Sequence, residues 1–244
     1  MYNMSYGNYA DFLANNLYFL LLIPVMLLSL WAQFQVNGSF RRFSEVPNSR
    51  RMTGYQAARL VLQAHGVQGV EISSCAGTLT DHYDPRDNTI YLSDPVYNAT
   101  TVAAIGVAAH EAGHAVQYAE GYSPIKLRNA IIPMTRIGSQ FSMILLLIGI
   151  LLYSQQLFLL GIVLFSFTTL FQLITLPVEF NASARAVETL DGSGLLEEEE
   201  LSGVRKVLSA AALTYVAALL MSILQLLRYV SIFMSRSVRR GGRR

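Results

Sequence analysis

The sequence has little cysteine and little charge. Its 244 residues include one cysteine, Cys75, which excludes an intrachain disulfide and a cluster of cysteine ligands around a metal. Charged residues make up 14% of the chain and hydrophobic residues 52%, whereas soluble domains carry about 25% charge. The net charge of +2 provides no strong basic field, so we expect no nucleic-acid partner. This balance argues against an ordinary soluble domain and against a disordered chain.

Long apolar runs occupy much of the chain and predict membrane spans. Residues 12–32 are long enough to cross a bilayer and carry no signal-peptide features, so they predict an uncleaved first span. Residues 137–178 are uncharged and too long for one span. The polar triplet at 154–156 therefore predicts two helices joined by a tight turn, at Ile137–Tyr153 and Leu157–Leu176.

A fourth apolar stretch covers residues 207–234 and is interrupted by Arg228. It is either a fourth span or a long helix packed on the catalytic domain and the membrane surface. Its basic continuation, residues 236–244, argues against a true fourth span, because the tail would then lie outside the cell. The chain thus has three or four predicted transmembrane helices.

Basic residues near the first span predict the orientation of the chain in the cell membrane. Four arginines follow this span and no basic residue precedes it, so the N-terminus should be outside and residues 33–136 in the cytosol. The hairpin at 137–178 then returns the chain to the cytosolic side. We expect a multi-pass protein whose segment at 33–136 faces the cytosol.

The segment between the first two apolar blocks predicts a small mixed domain. Residues 53–65 form an amphipathic helix with Thr53 as its cap, and its apolar face comprises Ala57, Leu60, Val61 and Ala64. Short strands are expected at Val70–Ser74 and Thr89–Ser93, separated by turns, and a helix at Thr101–Glu120. The strand Asn88–Ser93 is either an exposed edge that binds an extended peptide or an ordinary hairpin strand. Residues 197–200 predict a solvated start of the last helix.

The strongest chemical signal is a His-Glu-x-x-His motif in the helix at Thr101–Glu120. Helical spacing places His110 and His114 on one face, where both imidazoles can bind one zinc ion. Glu111 then points at the metal-bound water as a general base. A catalytic zinc needs a third protein ligand and an open position. Glu179, directly after the hairpin, is the best acidic candidate, with His82 as the alternative; Glu179 could instead be a plain interfacial carboxylate.

The runs VAAHEAGHAVQ, LTDHYDPRDNTIYLS and PVEFNASARA, with the apolar hairpin between them, resemble the YugP-type membrane zinc metallopeptidases. The chain is similar, more distantly, to HtpX-type membrane proteases, in which a hairpin also separates the motif helix from a glutamate ligand. The resemblance implies a mainly α, integral-membrane fold with a zincin-like catalytic domain, built from the motif helix and a small β-hairpin or sheet. It also implies a gluzincin metal set of His110, His114 and Glu179. In the HtpX-type group an aspartate follows the glutamate by four residues and orients a histidine; here that residue is Ser183, so we expect a different group to take over.

These expectations define five regions of the chain. They are a transmembrane anchor at 1–34, a cytosolic zincin-like region at 35–136, a transmembrane hairpin at 137–178, a third-ligand region at 179–206, and an apolar helix with a basic tail at 207–244.

The predicted function is a membrane zinc endopeptidase that cleaves membrane or unfolded proteins through a water activated by one zinc ion, with Glu111 as the base. The oxyanion of the reaction needs a second electrophile, for which His82, Arg185 and Tyr215 are candidates. Arg185 could instead pair with Glu179 or Glu188. The alternative function is a non-catalytic membrane scaffold that keeps the zinc site for folding. Expected partners are polypeptide substrates, the lipid bilayer, and membrane proteins or further copies of the chain.

Overall fold

A computed structural model describes the backbone of residues 6–241 and the side chains of residues 16–236. The first five residues and the end of the basic tail lie outside the described residues. The helices are α1 Tyr6–Phe43, α2 Gly54–Ala64, α3 Asp94–Tyr97, α4 Val102–Ala119, α5 Ser123–Leu151, α6 Gln155–Gly192 and α7 Glu198–Gly241. The strands are β1 Glu71–Cys75, β2 His82–Asp84 and β3 Thr89–Ser93. The predicted fold class, mainly α with a small sheet, is confirmed.

Among the described residues, four helices are long and apolar enough to cross a membrane. The candidate spans are Asn16–Phe43, Ser123–Leu151, Gln155–Gly192 and Glu198–Arg236. The predicted tight turn is confirmed, because α5 ends at Leu151 and α6 begins at Gln155. The helix α5 begins at Ser123, before its predicted start, and α6 continues to Gly192, beyond its predicted end. Consequently Glu179 lies on α6 itself, and the region 179–206 covers the end of α6 and the start of α7.

The chain divides into two compact units. The membrane unit comprises residues 1–30, 128–174 and 215–244, and the sheet-containing unit comprises residues 31–127 and 175–214. The core of the sheet-containing unit combines fully buried side chains from α2, β3, α4, α6 and α7, among them Val61, Ile90, Leu92, Ala108, Ala112, Leu190 and Val204. This core supports the helix that carries the His-Glu-x-x-His motif.

The sheet has the order β1-β3-β2, with β1 parallel and β2 antiparallel to β3. Of the two alternatives for Asn88–Ser93, the ordinary hairpin strand is confirmed and the exposed edge is excluded, because β3 pairs on both sides. The residues that form β2 were predicted from the sequence to form turns rather than a strand. A strand of three residues is too short to show an alternating pattern, and the turn residues Pro85 to Asn88 follow it directly.

Three helix starts show how local sequence sets the element boundaries. Thr53 caps α2 in a capping box with Gln56, and Thr101 caps α4 by accepting from the Ala104 amide at 3.3 Å. The buried face of α2 consists of Ala57, Ala58, Val61 and Leu62, whereas Ala64 is exposed. The start of α7 is not wholly solvated, because Glu200 is buried and accepts from the Ser49 amide at 2.6 Å.

Candidate metal centre

The helix α4 places both motif histidines on one side. The rings of His110 and His114 are 4.7 Å apart between centroids and inclined at 82°. His114 and Glu111 are buried, and His110 is half-buried. This follows from the spacing of four residues, which brings successive side chains onto the same helical face.

A second long helix, α6, brings a carboxylate to the two imidazoles. Glu179 Oε2 lies 3.3 Å from His110 Nε2 and 3.6 Å from His114 Nε2. The possible ligand atoms of the three residues all lie within 4.8 Å of one another. Gly113 permits this approach of α4 to α6, because a Cβ at this position would be only 2.6 Å from the carbonyl oxygen of Ala182.

The donor set fits the size and chemistry of a zinc site. Zinc bonds nitrogen and oxygen ligands at about 2.0–2.1 Å in tetrahedral geometry, which separates neighbouring ligand atoms by about 3.3 Å. The measured separations of 3.3 and 3.6 Å from Glu179 to the two histidines agree with this spacing. Two imidazoles and one carboxylate also leave a fourth coordination position for water or substrate.

Glu111 lies beside the three convergent residues. Its side chain is buried, and burial raises its pKa to about 7. The neighbouring His110 opposes this rise and Glu179 adds to it.

Further contacts hold the imidazole nitrogens that face away from Glu179. His110 Nδ1 lies 3.0 Å from Ser183 Oγ, and His114 Nδ1 lies 3.1 Å from Gln117 Oε1. Ser183 thus supports His110 although it stands where the related proteases have aspartate, contrary to the expectation that a different group takes over. At His114 a different group, Gln117, does provide the contact. Sequence reasoning missed Gln117, although its position three residues after His114 on α4 places it on the same face.

Gln117 ties the two ligand-bearing helices together. Its Nε2 atom donates to the carbonyl oxygen of Val178 at 2.8 Å and to Asn181 Oδ1 at 2.9 Å. The side chain is fully buried. The residue that contacts His114 is thus anchored to the turn of α6 that carries Glu179.

Arg185 has other partners than those considered from the sequence. Its guanidinium contacts Glu120 Oε2 at 2.7 Å and donates from Nε to Asn181 Oδ1 at 2.9 Å. It therefore pairs with Glu120 rather than with Glu179 or Glu188. Glu120 also contacts His65 Nδ1 at 3.3 Å, so this group links the ends of α2, α4 and α6.

The structure places the other two electrophile candidates on β2 and α7. His82 is exposed on β2, where its Nδ1 lies 2.8 Å from the Thr80 carbonyl oxygen and its ring stacks on Tyr91. Tyr215 is half-buried on α7 and belongs to the membrane unit.

The described part of the chain combines four possible membrane spans with a His-Glu-x-x-His helix and a glutamate from a second helix. This combination is typical of membrane metallopeptidases. The chain belongs to the family described as "putative neutral zinc metallopeptidase", whose sequence profile matches residues 18–234. It is similar to "Putative membrane protease YugP" of Bacillus subtilis (strain 168), with 48% identity over 219 residues, 90% of this chain and 97% of that protein. No solved structure matches the chain.

Proposed function

We propose that this chain is an integral-membrane, zinc-dependent endopeptidase of the gluzincin type. The observation that carries the proposal is the convergence of His110, His114 and Glu179 at the separations of tetrahedral zinc ligands. The buried carboxylate of Glu111 beside them supports catalysis over a purely structural site, because a structural site needs no base and closes its fourth position.

In this proposal His110, His114 and Glu179 hold one Zn²⁺. Bound zinc supplies Lewis-acid activation of a water molecule and of the scissile carbonyl. Glu111 accepts the proton of the attacking water and passes it to the leaving amine. Ser183 and Gln117 keep the two imidazoles in place through their Nδ1 atoms.

Contacts distinguish two of the three candidates for stabilising the oxyanion. Arg185 is engaged by Glu120 and Asn181. His82 is exposed on a strand that packs against α4, so the geometry favours it over Arg185. Tyr215 remains the third candidate.

The proposed substrates are membrane proteins or unfolded polypeptides. The arginines after the first span support a cytosolic position for residues 35–136 and 179–206, with the N-terminus outside. In this arrangement residues 1–34 anchor the chain, residues 137–178 form a transmembrane hairpin, and residues 207–234 lie in a fourth span.

The test measures zinc content and casein cleavage of the full chain in detergent. We expect one zinc in the wild type and in Glu111→Gln, with cleavage lost by at least a hundredfold in the variant. Glu188→Gln, an exposed glutamate on α6, is the matched control and should cleave like the wild type. A wild type that binds no zinc after reconstitution at neutral pH contradicts the proposal. Zinc without cleavage of any tested membrane or unfolded protein indicates the scaffold function instead.

A further inference from the structure

An open cavity lies apart from the metal centre, between the end of α1 and the early part of α7. Its volume within the sheet-containing unit is about 560 Å³, in the range of roughly 300–1,000 Å³ that small-molecule sites occupy. The side chains of Arg42 and Lys206 in its wall are exposed. Phe43 closes one end, where α7 passes so close that a Cβ at Gly203 would be 2.8 Å from the Phe43 ring. The metal centre uses α4 and α6, so the two sites share no residue.

The lining of this cavity changes from charged to apolar along both helices. Along α1 the lining residues run from cationic Arg42 through Ser39 to apolar Trp31. Along α7 they run from cationic Lys206 through Ser209 to apolar Leu213. Such a gradient fits a ligand with an anionic head and a hydrocarbon tail.

The position of the cavity along the sequence matches the border of a bilayer. On α1 the apolar run ends near Trp31, and Arg42 follows about 16 Å farther along the helix. On α7 the order is reversed, since Lys206 comes before the long apolar stretch. Trp31 is 52% exposed, and tryptophan is enriched at membrane–water interfaces. The cavity therefore lies where phospholipid headgroups are found.

The two cations of the cavity have no carboxylate partner among the side chains that the structure describes. By contrast Arg205, adjacent to Lys206, contacts Asp191 at 3.2 Å and Glu198 at 3.7 Å. Arg42 packs with its guanidinium 5.4 Å from the centre of the Phe43 ring, which holds it at the closed end. Two cations that face a cavity without a protein counter-charge favour an anionic ligand, and arginine and lysine both bind phosphate.

We infer that this cavity binds the headgroup of an anionic phospholipid, with its phosphate between Arg42 and Lys206 and its acyl chains leaving past Trp31 and Leu213. The inference goes beyond the proposed peptidase and does not depend on zinc. It requires only that α1 and α7 enter the membrane. Binding of the lipid by residues of both helices couples the lipid composition of the membrane to the packing of α1 against α7.

The chain contains its own reporter for this site. Trp31 is its single tryptophan, so its fluorescence reports on the cavity alone. The full chain in mild detergent is titrated with phosphatidylglycerol that carries brominated acyl chains, which quench tryptophan on contact, and in parallel with phosphatidylcholine carrying the same chains. We expect phosphatidylglycerol to quench at a lower mole fraction, with each cation contributing about fivefold to the preference.

Variants distinguish lipid binding at this cavity from attraction by general surface charge. Arg42→Gln and Lys206→Gln should each lower the preference about fivefold, whereas Arg41→Gln, an exposed arginine outside the cavity, should leave it unchanged. Gly38→Leu should abolish selective quenching without a change of charge, because a Cβ at Gly38 points into open space within the lining. Thermal melting and zinc content establish that each variant is folded.

Three results overturn the inference. The first is equal quenching of the wild type by both lipids. The second is an equal loss of preference in Arg41→Gln and Arg42→Gln, which would indicate a diffuse charge effect. The third is relief of quenching by millimolar inorganic phosphate or glycerol phosphate, which would assign the site to a free phosphate rather than to a lipid. Persistence of the lipid preference in the presence of these anions supports the inference.

Discussion

At the scale of single residues, the hydrogen bonds of Gln117 decide which nitrogen of His114 can bind a metal. The amide nitrogen of Gln117 donates to the Val178 carbonyl oxygen, so its Oε1 is left to accept from His114 Nδ1. His114 therefore carries its proton on Nδ1 and presents the lone pair of Nε2 towards Glu179. The hydroxyl of Ser183 lies 3.0 Å from Nδ1 of His110 and, as a hydroxyl, can also accept a hydrogen bond from this nitrogen.

We predict that zinc affinity falls when these contacts are removed. Ser183→Ala should weaken zinc binding about tenfold, and Gln117→Leu up to about a hundredfold, since Gln117 also joins α4 to α6. Competition with a fluorescent chelator measures both values. Ser183→Asp should retain affinity because a carboxylate also accepts from Nδ1. Ser202→Ala, a half-buried serine on α7, is the control, and an equal loss in this variant would contradict the prediction.

At the scale of elements, the close crossing of α4 and α6 forms the metal centre. Each helix alone supplies an incomplete set, with two imidazoles on α4 and one carboxylate on α6. The crossing depends on Gly113, which lies within the motif and faces the backbone of Ala182. Gly113 lies between Glu111 and His114 in the sequence. A small residue is needed at this position because a side chain would separate the two ligand-bearing helices.

We therefore expect Gly113→Ala to separate the helices and weaken the site. The added methyl group meets backbone rather than a flexible side chain, so overpacking should cost about 1–3 kcal/mol of stability, in spite of the better helix propensity of alanine. Zinc affinity should fall with it. Gly106→Ala on the same helix is the matched control, because the nearest atom to its Cβ would be Val204 Cγ1 at 3.3 Å and the nearest backbone atom Val204 Cα at 3.7 Å. Thermal melting with and without zinc measures both effects, and identical melting of the two variants would contradict the explanation.

At the scale of the whole molecule, the proposed topology places the sheet-containing unit in the cytosol. The hairpin of α5 and α6 makes this possible, because a pair of spans joined by a tight turn returns the chain to the side from which it left. The turn at Ser154 then lies on the opposite face of the membrane from the motif helix. The native cysteine, half-buried at the end of β1, can report on this arrangement.

In intact cells we expect a membrane-impermeant maleimide to leave Cys75 unmodified and to label it after permeabilisation. Ser154→Cys in a Cys75→Ser background should show the reverse accessibility, with labelling of intact cells. Cys75→Ser alone is the blank, since it leaves no cysteine in the chain. Labelling of Cys75 in intact cells would contradict the orientation, and labelling of both positions from the same side would contradict the hairpin. Mass spectrometry of the purified chain measures the extent of labelling.

Much of the fold could be predicted from the sequence because it follows from local physics. Apolar runs set the membrane helices, caps such as Thr53 and Thr101 set helix starts, and the polar triplet at 154–156 set the turn of the hairpin. The strand order could not be predicted in this way. Pairing of β3 with both neighbours depends on contacts between distant residues, and β2 is too short for its pattern to show.

The sequence by itself determined the motif, since a spacing of four residues on a helix places His110 and His114 on one face whatever surrounds them. It also determined that apolar helices are present, although α5 and α6 extend beyond their predicted bounds. Only the tertiary structure decided that Glu179 meets both imidazoles, that Ser183 contacts His110, that Gln117 joins α4 to α6, and that Arg185 pairs with Glu120. The physical reason is that these contacts join helices separated by an entire hairpin, and their distances depend on how closely α4 and α6 pack.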